Sequence, residues 1–75
     1  MKHLNELAIG DRAGIIAVNA GGGRAPRLLA LGLLPGVTVE VAGVAPFGDP
    51  LTVKVRGRPV SLRRADAALV TVEQL

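Results

Sequence analysis

Glycine and proline punctuate this chain so densely that only short regular segments fit between them. Ten glycines and five prolines fall among 75 residues, and they gather at Gly10-Asp11, Gly21-Gly22-Gly23, Pro35-Gly36, Pro46-Phe47-Gly48-Asp49-Pro50 and Gly57-Arg58. Many short segments joined by such turns are the pattern of a small β-sandwich or barrel. What lies between the turns is aliphatic. Hydrophobic residues make up 49% of the chain, yet Phe47 is its one aromatic residue. The core must therefore be built from Val, Leu, Ile and Ala.

Along the chain, Leu4 and Leu7 are spaced for one helical turn that caps a core. The Ile/Val-rich run from Arg12 to Val18 reads as a first strand. The glycine-rich segment from Asn19 to Gly23 reads as a flexible loop, and residues 24–32 as a short helix. Pro26 suits the first turn of such a helix, where a missing N–H is no loss, and Gly32 suits the left-handed position past its end. Pro35-Gly36 predicts a type II turn. Val37, Val39 and Val41 alternate with Thr38, Glu40 and Ala42, and Leu51, Val53 and Val55 alternate with Thr52, Lys54 and Arg56; both runs predict half-buried strands. Gly57-Arg58 predicts a hairpin turn, with Val60 and Leu62 continuing the apolar face and Pro59 at an edge. Residues 63–67 read as a helical turn and residues 69–73 as the closing strand. The expectation is a single domain over residues 1–75: a mainly β, five-stranded barrel with one short helix and a helical turn, closed so that its short strands leave no open edge.

A chain of this length buries a thin core and has no room for a deep substrate cavity as well. It has no cysteine, so disulfides and thiolate metal sites are excluded. His3 is the one histidine, and the carboxylates of Glu6, Asp11, Glu40, Asp49, Asp66 and Glu73 are scattered, so no metal site or cofactor is expected. Gly21-Gly22-Gly23 is followed by Arg24-Ala25 where a phosphate loop needs Lys-Ser or Lys-Thr. Ser61 is the one serine, and nothing brings His3 to it, so no catalytic residue is assigned and no enzyme is expected. The first residues lack a signal-peptide core and no stretch has membrane-spanning length, which predicts a soluble, cytoplasmic protein.

Net charge is +3, which favours acidic partners. Lys54, Arg56 and Arg58 lie two apart and would share an outer face if the hairpin keeps that register, with Arg63 and Arg64 close behind. A basic barrel that binds nucleic acid is thus one reading. Against it, single-strand readers stack bases on aromatic side chains, and only Phe47 is available. A second surface is suggested by the stretch from Leu28 to Leu34, which holds five leucines in seven positions. Leu28 and Leu31 fall on one side of the helix and Leu29 on another. So short a helix cannot point all of them into one thin core. An exposed leucine patch rimmed by Arg24 and Arg27 would be a docking surface for another protein; the alternative is that the helix is a lid and its leucines are covered.

Three segments resemble one family. Arg27-Leu28-Leu29-Ala30-Leu31-Gly32-Leu33-Leu34-Pro35-Gly36 resembles the LGLxPG signature of the ferrous iron transport protein A family, FeoA. Val44-Ala45-Pro46-Phe47-Gly48-Asp49-Pro50 resembles its VAPxGDP turn, and the segment from Val60 to Val70 its LxLRxxEA segment, with Asp66 in the acidic position. The segments keep the family's order and cover nearly the whole chain from about Asp11 onward. The resemblance implies an SH3-like barrel. It also implies a cytoplasmic accessory of the bacterial transporter FeoB, peripheral to the inner membrane through that partner, which binds FeoB and modulates its assembly or activity. The expected partner contacts are Arg27, Leu28 and Leu31 on the helix, with Phe47 and Asp49 in the turn. Self-association is left open, and specific nucleic-acid binding is not expected.

Overall fold

The computed structural model describes residues 2–19 and 23–75. Residues 20–22, and with them most of the glycine-rich loop, lie outside the described residues. The chain runs through strand β1 (Lys2–His3), a 3-10 turn (Leu4–Glu6), strand β2 (Arg12–Val18), helix α1 (Ala25–Ala30), strands β3 (Thr38–Val44), β4 (Leu51–Val55) and β5 (Arg58–Leu62), helix α2 (Arg64–Ala67) and strand β6 (Val70–Gln74). The described strands form one antiparallel sheet in the order β1-β6-β2-β3-β4-β5. The expected five strands are all present. The sixth, β1, is only two residues long, and it pairs Lys2 with Val72 and His3 with Thr71.

Alternation builds the core. Val39 and Val41 of β3, Leu51, Val53 and Val55 of β4, Leu62 of β5, and Val70 and Val72 of β6 all point inward and are buried. Each such side chain contributes about 1.5–3 kcal/mol by leaving water. Leu4, Leu7, Leu28, Leu33 and Ala67 close the interior over them. In two places strict alternation fails, and both are bulges. Ile16 is the extra residue of β2 against β6, and Ala42 the extra residue of β3 against β4. Each bulge resets the phase, so Val18 returns to the core side after Ile15, and Val44 after Val41.

The hydrogen-bonded ladder does not close on itself: β1 and β5 are its ends. Helix α2, which follows β5, packs against the 3-10 turn, which follows β1. Both edges are blunted. β1 is very short, and β5 carries Pro59 opposite Lys54. With Val55 and Arg58 closing a two-residue turn, the Lys54–Pro59 pair is a non-hydrogen-bonded one, so the proline nitrogen faces off the sheet, where no ladder bond is lost. In the 3-10 turn the His3 N–H donates to the Glu6 carboxylate at 2.9 Å. That bond, with the His3 ring beside it, holds the Glu6 carboxyl below its ordinary range.

Helix α1 is shorter than the expected 24–32 because both flanks are caps. Pro26 lies in its first turn, and Gly32 adopts φ +93° just past Leu31. There the Gly32 N–H donates to the Leu29 carbonyl and the Leu33 N–H to the Leu28 carbonyl, at 3.0 and 3.2 Å. This is the Schellman pattern, which brings Leu33 back over Leu28. The Pro35-Gly36 turn follows, closed by the Val37 N–H on the Leu34 carbonyl with Gly36 at φ +90°, as a type II turn requires.

Candidate docking surface

The turn that precedes β4 is tied by both backbone and side-chain hydrogen bonds. Gly48 N–H donates to the Ala45 carbonyl at 2.7 Å, and Ala45 N–H to the Pro50 carbonyl at 3.0 Å. Pro46 fixes one φ inside this turn. The Asp49 carboxylate accepts the Arg64 N–H at 2.9 Å and so caps the start of α2. The Arg64 guanidinium reaches back, donating through Nε to the Gly48 carbonyl and through Nη1 to the Asn5 carbonyl, the latter at 3.1 Å. One side chain thus joins the turn, α2 and the 3-10 turn. At the tip stands Phe47, with its side chain in water: it is 99% exposed.

Helix α1 distributes its leucines differently from the expected docking face. Leu28 is 1% exposed and belongs to the core, so it is corrected from a partner contact to a packing residue. The physical reason is the Schellman cap, which sets Leu28 against Leu33. Leu31 is half-buried against the core. The leucines that reach solvent are Leu29 and Leu34, at 40% and 38%. Arg27 is also exposed. At the start of the helix, Arg24 meets the Asp66 carboxylate of α2 at 3.5 Å.

The expected residues therefore fall into two places. Gly32, which follows Leu31, lies against Val55 at the far end of β4, whereas Phe47 and Asp49 precede β4. A five-residue strand separates those ends by about 13 Å. The sequence reading missed Leu29, Leu34 and Arg64. The first two could have been found from Gly32 itself, since a left-handed glycine cap implies an inward Leu28–Leu33 pair. Arg64 left no signal, because its partners are backbone carbonyls far away in the chain.

The basic run also separates. The hairpin turn is Arg56-Gly57, one residue earlier than expected, with φ of +52° and +79°. Arg58 then pairs with inward-facing Val55, and Lys54 with Pro59 on the opposite face. Lys54 and Arg58 do not share a face.

This arrangement has known counterparts. The FeoA domain model matches residues 2–74. The chain belongs to the FeoA family. Over 70 residues it is 41% identical to an Fe(2+) transport protein A/Fe(2+) transporter FeoB fusion protein of Porphyromonas gingivalis, a stretch that is 93% of this chain and 8% of that protein. The solution structure of FeoA from Chlorobium tepidum superposes with a TM-score of 0.89 at 39% identity, over 99% of this chain and 70% of that one. Zinc-complexed FeoA from Stenotrophomonas maltophilia superposes with a TM-score of 0.86 at 30% identity, over 100% and 96%. That protein is described as a procaryotic SH3 domain protein and a candidate activating factor of bacterial ferrous iron transport. Two of the three FeoA-like segments of this chain meet in the fold, the turn before β4 and the segment that holds α2. LGLxPG supplies the cap of α1 and the type II turn; VAPxGDP supplies the Phe47 tip; the LRxxDA segment supplies Arg64 and Asp66.

Proposed function

We propose that this FeoA-family chain is a non-catalytic accessory that docks from the cytoplasm on a FeoB-type ferrous iron transporter and modulates its assembly or activity. Phe47 carries this reading. A large apolar side chain held wholly in water by a hydrogen-bonded turn has no folding role of its own, and it matches what a pre-ordered anchor needs. The covalent joining of the equivalent domain to FeoB in the Porphyromonas gingivalis relative supports the choice of partner. Asp49 acts by positioning the turn. Arg27, Leu31 and the exposed Leu29 and Leu34 form a second contact area, with Arg27 as an orienting charge at its rim. Membrane association then runs through the partner alone; no helix among the described residues is long and apolar enough to cross a membrane. The strand register divides Lys54 from Arg58, which weighs against one continuous basic strip for nucleic acid.

The test is co-purification with an intact FeoB-type transporter. Wild-type chain and a Leu28→Val control should be retained, and Phe47→Ser should be lost while its circular dichroism stays native. Retention of Phe47→Ser at the wild-type level would remove Phe47 from the interface.

A further inference from the structure

At the far end of β4 lies a group of cations with no role in the docking just described. Arg56 forms the first half of the β4–β5 turn at φ +52°, a conformation that asparagine or glycine adopts with less strain. It stands on the ridge between two depressions. One, of about 320 Å³, has Ala30, Leu31 and Val55 as an apolar floor, with Arg56 and Arg58 at its rim. The other, of about 250 Å³, places Arg56 with Arg12 and Lys54, and Glu40 is its one carboxylate. Among the described residues the ion pairs are His3–Glu6 and Arg24–Asp66, so Arg56 and Arg58 have no carboxylate partner there.

We propose that the cleft between the end of α1 and the β4–β5 turn is a socket for an acidic, aliphatic protein segment. Arg56 and Arg58 hold a carboxylate, and a neighbouring aliphatic side chain of the segment lies on Leu31 and Val55. Two guanidinium forks at one rim match a carboxylate in charge and in planar geometry. The floor decides between polyanions. A nucleic-acid strand would use the arginines but find no aromatic platform, because Phe47 is at the opposite end of β4. An anionic bilayer is flat, and it would touch the rim without filling the cleft. A peptide that alternates carboxylate and aliphatic side chains satisfies rim and floor together. The socket shares Leu31 with the second contact area of the proposed docking but makes no use of Phe47, so it does not depend on the partner that receives Phe47.

The test is a titration of the 15N-labelled chain followed by amide NMR shifts. The probe is the peptide acetyl-GLDLEG-amide, and its comparison is the Asn/Gln counterpart acetyl-GLNLQG-amide. The expected result is saturable shifts at Leu31, Gly32 and Val55 through Arg58 with the acidic peptide, and binding weaker by roughly tenfold or more with the neutral one. The Arg56→Gln/Arg58→Gln variant, with its spectrum otherwise native, should lose the same factor. Phe47→Ser should bind the peptide as wild type does, which separates failure of the socket from failure of the transporter reading. Equal response to both peptides, or no response at the cleft, would overturn the proposal. So would shifts of these amides by phosphatidylglycerol vesicles or by a short single-stranded DNA where the acidic peptide causes none.

Discussion

The two ends of β4 are built on opposite plans. Before the strand, the turn holding Phe47 is tied by its own backbone bonds, by Asp49 on α2 and by the Arg64 guanidinium. After the strand, Arg56-Gly57 is a bare two-residue turn closed by the Val55–Arg58 pair, with positive φ at both turn residues and no side-chain tie. The tied end presents one apolar ring, and the bare end presents long cations. The difference follows from range. An apolar anchor contributes only in contact, so any freedom of its backbone must be lost on binding, and ordering it beforehand saves that cost. A guanidinium acts over a Debye length of about 8–10 Å on a flexible stem, so its turn can stay simple. The tied end should govern how long its own complex lasts, and the charged end how fast a separate, acidic ligand is captured.

Arg64→Ala should break the tied end most severely. It removes two charge-assisted bonds at a part-buried site, to Gly48 and Asn5, at a cost of about 2 kcal/mol. For a domain this small that lowers Tm by roughly 10 °C, read by thermal circular dichroism. Asp49→Ala removes only the cap on the Arg64 N–H and should cost about 1 kcal/mol. If Asp49→Ala destabilised as much as Arg64→Ala, the carboxylate and the guanidinium would be acting as a single unit, and a double variant would show non-additive losses. At the bare end the sign reverses. Arg56→Asn relieves a left-handed arginine and should raise stability by about half a kcal/mol, measured by urea unfolding. A loss there instead would mean that the Arg56 side chain holds the turn, and the two ends would be less different than their hydrogen bonds suggest.

The contrast between the ends was only half legible in the sequence. Strands with clean alternation, such as those of Val39-Val41 and Leu51-Val53-Val55, announce themselves because one face must leave water. Gly32 and Pro35-Gly36 do so because few residues accept their φ. The bulges at Ile16 and Ala42 are invisible, since an extra residue is defined only by the strand it opposes. Strand β1 is invisible for the same reason: Lys2 and His3 carry no apolar pattern and are strand only through β6. The hairpin was displaced by one residue because Gly57-Arg58 and Arg56-Gly57 each place the glycine in the turn, and only the pairing of Val55 with Arg58 decides between them. That single step moves Arg58 to the other face. In α1 the helical spacing correctly put Leu29 apart from Leu28, and the Gly32 cap carried the further signal that Leu28 faces the core. Residues 20–22 lie outside the described residues and bear on none of these points.

Phe47→Ser should have the smallest effect on stability and the one that best separates anchor from scaffold. The ring is 99% exposed, so the substitution returns no buried area to water. Its backbone bonds do not involve the side chain: the turn closes from Gly48 to Ala45 and is stitched by Asp49 and Arg64. Unfolding should therefore shift by less than about 0.5 kcal/mol. Docking is another matter. An aromatic side chain that enters a partner pocket is worth about 2 kcal/mol or more, so affinity for the transporter should fall roughly 30-fold, seen mainly as faster dissociation in surface plasmon resonance. Arg64→Ala should weaken docking too, but only by loosening the tip, and its loss should shrink when Phe47→Ser is already present. If the two losses simply add, Arg64 touches the partner itself, and the tied end is an interface in its own right and no longer just the support of one ring.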